Sequence, residues 1–343
     1  MAVLIDDVGS FPLPREMDRK SFDKAYMLAR EAIIRGNDVK EDDFLLKNFY
    51  RIIFNSFTRK IRTGLDVVNY PQHFDMHNQF VDLIHKAMDE GTYIVDSNQA
   101  VIPELHVIMR EAKRLYERIG EKVHLRVSIT GPLELYWKEV GVKPYEDILF
   151  MFAETVKNFA INSIVDSKYV KTEVVTLDEP SFGFQMMNLQ KDLVVKVFEK
   201  SFNFNGALKN IHLHSPARIS DLLTIENLDL VSIEYAASPQ NIKQISKKML
   251  NQADKQIRLG ISRTDIDSIT AELYDRGIIK PTVEQIVEDK KTIEKRFHFC
   301  REKYGETMTF VGPDCGLGGW PTQEAAELLL NRTVTAVKSK KKL

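Results

Sequence analysis

The sequence predicts an α/β protein whose fold is a (β/α)₈ TIM barrel with extra N-terminal helices. Short apolar runs typical of strands alternate with longer segments of helical periodicity, and about eight such units fit into 343 residues. Repeated strand–helix units imply parallel strands joined by crossover helices. No glycine-rich phosphate fingerprint opens a helix, which disfavours an open dinucleotide-binding sheet. Polar residues follow several of the apolar runs, as they do at the mouth of a barrel enzyme.

The strands and helices can be placed in chain order from the spacing of apolar residues. Strand-like runs occupy residues 2–5, 65–71, 93–96, 123–129, 173–177, 209–213, 228–233, 257–261 and 308–311. Two or three helices are predicted within residues 17–62, before the second run. Later helices are predicted at residues 75–90, 105–119, 145–166, 189–201, 239–253, 282–303 and 322–337.

Composition indicates one globular domain, residues 1–343, with a short basic tail at 338–343. Hydrophobic residues make up 43% and charged residues 28% of the chain, and the net charge is -1. That balance gives no electrostatic reason to expect nucleic acid or a membrane surface as a partner. We find no signal peptide and no apolar run of about 18 residues. The two cysteines offer no disulfide framework, which predicts a reducing, cytoplasmic location.

Four side chains at the ends of apolar runs form a candidate metal site. His212 and His214 are two residues apart, so in a strand both imidazoles point to the same face. Glu234 ends another apolar run, and Cys315 ends a third. Two nitrogens, one carboxylate oxygen and one sulfur are a donor set that suits zinc. The glycines of residues 316–319 predict a flexible turn that lets Cys315 approach a ligand.

Other motifs suggest different chemistry. His73 and His77 are spaced like the histidines of a metalloprotease helix, but the glutamate that would act as general base is missing. A His-x-His pair also occurs in amidohydrolases, although there it follows the first barrel strand. Asp178 and Glu179 could form a general acid/base pair, but adjacent residues diverge in a strand, so one of them is expected to face the core or cap a helix. Cys300 lies on a predicted helix and is expected to be a buried structural residue.

Six motifs occur in order along nearly the whole chain: VGSFP at 8–12, ITGP at 129–132, LDEPS at 177–181, IHLH at 211–214, SIE at 232–234 and GPDCGL at 312–317. Together they resemble the C-terminal catalytic barrel of cobalamin-independent methionine synthases, including the short single-barrel archaeal forms. That family uses zinc to transfer a methyl group to homocysteine. By resemblance, His212, Glu234 and Cys315 fall on zinc ligands. Ser10 falls on a substrate-contacting serine, and Asp178 on the aspartate that holds the substrate amino group.

The sequence departs from the family pattern in three places. His214 stands where the family has a cysteine ligand, and a histidine still provides a zinc ligand there. Asp265 stands where the family has a histidine after the seventh strand, and by this correspondence we assign Asp265 the catalytic role. The family's acidic residue after the second strand has no obvious counterpart in residues 69–73. The last two departures leave the acceptor thiol and the proton path open.

The predicted function is zinc-dependent transfer of a methyl group to the thiol of homocysteine, which forms methionine. Two alternatives stay open: a related corrinoid-dependent thiol methyltransferase with another acceptor, and a non-catalytic barrel that binds a ligand or partner. The resemblance implies a methylated corrinoid or a methylfolate as the methyl donor. We favour the corrinoid, because the chain has no room for the N-terminal half-molecule with which the long forms hold folate. The expected partners are homocysteine or a similar small thiol, with a corrinoid protein as a further candidate.

Overall fold

The computed structural model describes residues 2–184 and 189–339, which form an α/β structure around one curled sheet. Its strands are β1 (Leu4–Ile5), β2 (Val68–Asn69), β3 (Val123–Thr130), β4 (Val170–Asp178), β5 (Leu208–Leu213), β6 (Leu230–Ile233), β7 (Gln256–Ser262) and β8 (Met308–Pro313). All pairings are parallel, and the strand order is β1-β8-β7-β6-β5-β4-β3-β2. This arrangement is consistent with a TIM-like barrel, in which the carboxyl ends of the strands meet at one rim.

Helices fill the connections between the strands. They are α1 (Arg19–Ile34), α2 (Asp43–Leu45), α3 (Arg51–Arg62), α4 (Asn78–Asp89), α5 (Pro103–Ile119), α6 (Pro132–Val140), α7 (Glu146–Asn162), α8 (Lys191–Ser201), α9 (Ile219–Leu222), α10 (Lys247–Ala253), α11 (Ile266–Asp275), α12 (Val283–Ile286), α13 (Lys290–Tyr304) and α14 (Gln323–Lys338). A π-helical turn, Leu46–Tyr50, joins α2 to α3, and 3₁₀ turns occupy Asn241–Lys243 and Gly305–Thr307.

Short contacts connect the two edges of the sheet. Asp6, just after β1, forms an isolated parallel bridge with Val67, just before β2. The backbone N–H groups of Asp66 and Val67 donate to the carbonyl oxygen of Ile5, at 2.8 and 3.1 Å. The edge strands therefore meet, although they share a single bridged residue pair, fewer than any other strand pairing in the sheet.

Capping residues in the sequence explain several helix ends. The side chains of Asp18 and Thr322 each accept a hydrogen bond from the backbone N–H three residues later, at the starts of α1 and α14. Helix α5 begins with Pro103, where a missing N–H is tolerated. It ends at Gly120, whose φ of 81° lies in the left-handed region that glycine adopts without strain.

A buried ion network lies on the inner face of the curled sheet. Arg126 on β3 and Arg258 on β7 both contact the Asp6 carboxylate, with Arg258 Nε 2.7 Å from Asp6 Oδ1. All three side chains are buried. Arg126 Nη1 also donates to Thr176 Oγ1 on β4, at 2.5 Å. Loss of Asp6 would leave two buried guanidinium groups uncompensated, at a cost of about 3–5 kcal/mol. The network therefore connects β3, β4 and β7 with the segment that follows β1.

Three local predictions are wrong. Residues 93–96, predicted as a strand-like run, form no strand; the Thr155 hydroxyl on α7 instead bonds the backbone of Tyr93 and Val95, at 2.8 and 2.9 Å. The helix expected at 239–253 is reduced to a 3₁₀ turn and α10, and the helix expected at 282–303 is divided into α12 and α13. Periodicity also misses α6 and α11, which have only 9 and 10 residues and follow polar strand ends.

The basic C-terminal segment begins within the last helix. Lys338 ends α14, and its ammonium donates to the Gly64 carbonyl and the Asp66 carboxylate, each at 2.8 Å. Residues 340–343 of the predicted tail lie outside the described residues. Across the described ranges, no helix combines the length and apolar character that a membrane span requires.

Candidate metal centre

The four candidate ligands meet at the carboxyl rim of the sheet. His212 is on β5 and His214 follows that strand, Glu234 follows β6, and Cys315 lies two residues beyond β8. Their ligand atoms all lie within 4.8 Å of one another. His214 Nε2 is 3.4 Å from Cys315 Sγ and 3.5 Å from Glu234 Oε1. Within residues 2–184 and 189–339 this is the one group of three or more such side chains close enough to share a metal ion.

The environment of His212 fits a metal-binding imidazole. The ring is buried, and Nδ1 lies 3.2 Å from the Ser232 hydroxyl. Arg258 donates to the same hydroxyl, at 3.3 Å. The other ring nitrogen, Nε2, is buried and has no hydrogen-bond partner among the described residues. A buried polar atom without a partner is costly, and a metal ion held by the four side chains would satisfy it.

Burial makes the pocket unfavourable for charge on the ligands themselves. It raises the pKa of Glu234 to about 8, with help from the Asp314 carboxylate, and raises the pKa of the Cys315 thiol to about 12, with help from Glu234. Burial and the neighbouring His214 hold the pKa of His212 well below its ordinary range. A divalent cation offsets these costs, because it binds a carboxylate, a thiolate and neutral imidazoles. The donor set therefore fits zinc.

Asp314 fixes the chain next to two of the ligands. Its buried carboxylate accepts hydrogen bonds from three consecutive backbone N–H groups, residues 235–237, at 2.9, 2.9 and 2.6 Å. Glu234 directly precedes these N–H groups, and Cys315 directly follows Asp314. Gly260 leaves the necessary space, because a Cβ there would lie 2.1 Å from Asp314 Oδ1. Asp314 thus connects the ends of β6 and β8.

Ser10 packs against the turn that follows Cys315. Its hydroxyl accepts a hydrogen bond from Gly318 N at 3.1 Å, and its carbonyl accepts one from Leu317 N at 2.8 Å. A Cβ on Gly316 would lie 1.9 Å from Ser10 Oγ. Close packing on Ser10 therefore explains this glycine without any need for flexibility, and it places Ser10 beside the cluster.

Asp178 and Glu179 have different environments. Asp178 ends β4 and pairs in register with His212. It is buried, its Oδ1 has no hydrogen-bond partner in the described part of the chain, and burial raises its pKa to about 8 against the attraction of Arg126. Glu179 instead accepts hydrogen bonds from the first backbone N–H groups of α6, Leu133 N at 2.9 Å and Glu134 N at 2.8 Å. Glu179 is thus used as a helix cap, while Asp178 has an oxygen free for a ligand.

Asp265 is held by a neighbouring cation. Its two carboxylate oxygens accept from Arg263 Nε at 2.9 Å and Arg263 Nη2 at 2.6 Å. The same guanidinium pairs with Glu272, at 2.8 Å. Asp265 is near enough to contribute to the raised pKa of Glu234. Its catalytic role stays a prediction.

The two other histidines of interest have separate partners. His73 Nδ1 lies 2.8 Å from the Phe11 carbonyl oxygen, and its Nε2 lies 2.9 Å from the Ser56 hydroxyl. Burial lowers the pKa of His73 to about 3. His77 Nε2 instead contacts Glu139 Oε1, at 2.7 Å. The geometry therefore gives no support to a metalloprotease pair.

Sequence reasoning did not find Glu134, a buried acid close to the cluster. Its carboxylate accepts from Ser181 N at 3.2 Å and pairs with Lys138 at 3.3 Å. Burial lowers the pKa of His214, and the charge of Glu134 partly opposes that effect. Glu134 follows the Ile-Thr-Gly-Pro motif by two residues, but only the unpredicted helix α6 brings it near His214.

Two solved structures share this architecture over nearly the whole chain. One is a B12-independent methionine synthase from Shewanella sp. W3-18-1 in complex with selenomethionine, with a TM-score of 0.60 and 12% sequence identity over 98% of this chain and 97% of that chain. This chain has the fold of B12-independent methionine synthases. The structure described as a putative vitamin-B12 independent methionine synthase from Listeria monocytogenes gives a TM-score of 0.57 and 15% identity, over 98% of this chain and 97% of that chain. No family model and no curated protein matches the sequence.

These likenesses confirm the fold that the six motifs imply. At 12% and 15% identity, likeness to a methionine synthase establishes the fold and leaves the activity to be tested. The side chains at the carboxyl rim are therefore the basis for assigning a function.

Proposed function

We propose that the protein is a zinc-dependent methyltransferase that transfers a methyl group to the thiol of homocysteine to form methionine. The observation that carries this proposal is the four-ligand cluster at the rim of the sheet, in which the buried Nε2 of His212 has no hydrogen-bond partner among the described residues. The shared fold supports the choice of reaction.

In this proposal His212, His214, Glu234 and Cys315 hold the zinc ion. When bound, zinc would act as a Lewis acid that lowers the pKa of the substrate thiol and so favours the nucleophilic thiolate. The protein supplies the orientation, since the ligands are carried by strand ends whose spacing the sheet holds constant. Such positioning can lower a barrier by several kcal/mol.

Asp178 and Ser10 would recognise the amino acid part of the substrate. Asp178 Oδ1 has no hydrogen-bond partner among the described residues, so it can accept a hydrogen bond from the substrate ammonium, whose charge would favour the ionised carboxylate. Ser10 follows β1 and packs against the turn after Cys315. Together they would select a small thiol that carries an ammonium group.

The histidine in place of a cysteine changes the charge of the proposed centre. With one carboxylate and one thiolate, a zinc centre would be formally neutral before substrate binds, whereas a second thiolate at position 214 would make it an anion. We therefore propose that the substrate thiol is more acidic here but a weaker nucleophile, since less charge is donated through the metal.

We propose a methylated corrinoid or a methylfolate as donor. The neighbours are described as B12-independent, so they lend no support to a corrinoid protein as partner. The proposal also covers a single domain over residues 1–343, closed as a barrel, with α1–α3 as additions to the eightfold repeat. A cytoplasmic location is part of it, because Cys300 and Cys315 are both unpaired.

Zinc content tests the metal centre. Protein purified without a metal-binding tag should contain about one zinc per chain by elemental mass spectrometry. Cys315→Ala should lose it, while Cys300→Ala, a buried cysteine on α13 outside the cluster, should keep it. No zinc in the folded parent protein, or equal zinc in both variants, would contradict the proposed centre.

A non-catalytic barrel is the second candidate, favoured by the ion pair that occupies Asp265. The two candidates differ in one assay, the transfer of a labelled methyl group from methylcobalamin or methylfolate to homocysteine. Zinc-loaded protein should catalyse this transfer. A zinc-loaded, folded protein without transfer from either donor would support the binding role instead.

A further inference from the structure

One side chain outside the predicted site connects two of the candidate ligands. Asn241 begins the 3₁₀ turn after β6, and its side chain is buried. Its Nδ2 donates to the carbonyl oxygen of His214 at 2.9 Å and to the carbonyl oxygen of Glu234 at 3.1 Å. Because both acceptors are carbonyl oxygens, the NH₂ end of the amide must face them. Both amide hydrogens are therefore used on the backbones of two ligand residues.

The position of this contact matters because the sheet stops there. The register of β5 with β6 ends at the pair Leu213 and Ile233. The next pair would be His214 and Glu234, which no longer share the strand pairing. Asn241 bonds the backbones of both residues at that point, one residue beyond the last paired residues of β5 and β6. The separation of the two ligands, 3.5 Å between His214 Nε2 and Glu234 Oε1, is then held from outside the ligand set.

We propose that Asn241 is a positioning residue that holds His214 and Glu234 in the geometry needed to bind the metal. This inference rests on the metal centre of the proposed function. Without Asn241, the metal itself would have to order the two loops, and that ordering would weaken binding. Loss of a group that orients metal ligands commonly lowers metal affinity about 10–100-fold.

Cobalt(II) is the probe that tests the proposal, because its visible bands report both affinity and ligand geometry. Asn241→Ala should bind cobalt at least about tenfold more weakly than the parent and should show altered d–d bands. The matched control is Asn162→Ala. Asn162 Nδ2 also donates to two backbone carbonyls, Ser97 O at 2.5 Å and Ala100 O at 2.9 Å, but at the end of α7 and away from the ligands.

The control separates positioning from general stability. Both variants should unfold at a lower temperature than the parent, but only Asn241→Ala should change the cobalt spectrum. If Asn241→Ala does not fold, Asn241→Ser keeps one donor hydrogen and should give an intermediate affinity. A parent that binds no cobalt refutes the proposed function and this inference together. A parent that binds cobalt, with an Asn241 variant of equal affinity and unchanged spectrum, refutes this inference alone.

Discussion

Glu104 on α5 offers a test of how burial controls the ionisation of a carboxyl group. It lies in the first turn of α5, is fully buried, and neither carboxyl oxygen has a hydrogen-bond partner in the described ranges. Burial raises its pKa from 4.5 to about 8. The substitution Glu104→Gln keeps the shape of the side chain but removes the ionisable group.

The sign of the effect follows from proton binding in the two states. The unfolded chain ionises Glu104 near pKa 4.5, whereas the folded protein does so near 8, so between these values the folded state holds one proton more. Its free energy of unfolding therefore falls as pH rises, by about 1.4 kcal/mol per pH unit. At about pH 7 the loss amounts to about 3 kcal/mol. Relative to the parent, Glu104→Gln should gain about that much stability between about pH 4 and about pH 7.

Urea unfolding followed by circular dichroism at both pH values measures the difference. Glu111 on the same helix is the matched control, because it accepts from Lys40 and from Tyr50, each at 2.7 Å. Burial opposes ionisation there too, but these hydrogen bonds lower the pKa of Glu111 below 4.5. The ionised Glu111 therefore stabilises the folded protein above pH 4.5, and this stabilisation is lost at lower pH. Glu111→Gln should therefore be destabilising near neutral pH. A Glu104→Gln effect that is the same at both pH values would refute the reasoning.

The candidate metal centre provides three further tests. Gly316→Ala would place a Cβ 1.9 Å from Ser10 Oγ, so the free energy of unfolding should fall by about 1–3 kcal/mol. Gly319→Ala, where the nearest atom to the new Cβ is 3.9 Å away, should change it little. Equal effects of the two substitutions in urea unfolding would contradict this expectation. Asp314→Asn replaces one acceptor oxygen of a carboxylate that receives three backbone N–H bonds, so thermal unfolding should show a loss of about 1–3 kcal/mol, and an unchanged midpoint would count against that role. His214→Cys should raise the pKa of the substrate thiol in the pH–rate profile of methyl transfer, and a pKa equal to or below that of the parent would sink the charge argument.

The candidate ligands could be predicted because the rule that brings them together is local in sequence. His214 and Glu234 each come one residue after a buried strand, and Cys315 comes two residues after another. Parallel strands place their carboxyl ends at one rim, so three short apolar runs are enough to predict the cluster. The choice of zinc then needs only the identity of the donor atoms.

Contacts between distant segments have no such local signal. Ser10 and Gly316 are far apart in the chain, and neither periodicity nor composition indicates that they touch. Glycines in a turn therefore suggest flexibility, although here one of them is required by packing. Asn241 was missed for the same reason: an asparagine in a polar loop is typical of turns, and only the folded chain places its amide between two backbones.

The side-chain partners of Asp265 could not be predicted from its position in a sequence motif. The resemblance of the sequence predicts a catalytic role for Asp265 from its place after β7, but Arg263, two residues earlier, binds both carboxylate oxygens. A carboxylate bound by two N–H donors has fewer lone pairs with which to accept a proton from a substrate. Proton transfer at Asp265 would have to compete with this ion pair, in which Glu272 also holds the guanidinium. Asp265 also contributes to the raised pKa of Glu234, after burial and Asp314, and its catalytic role stays a prediction.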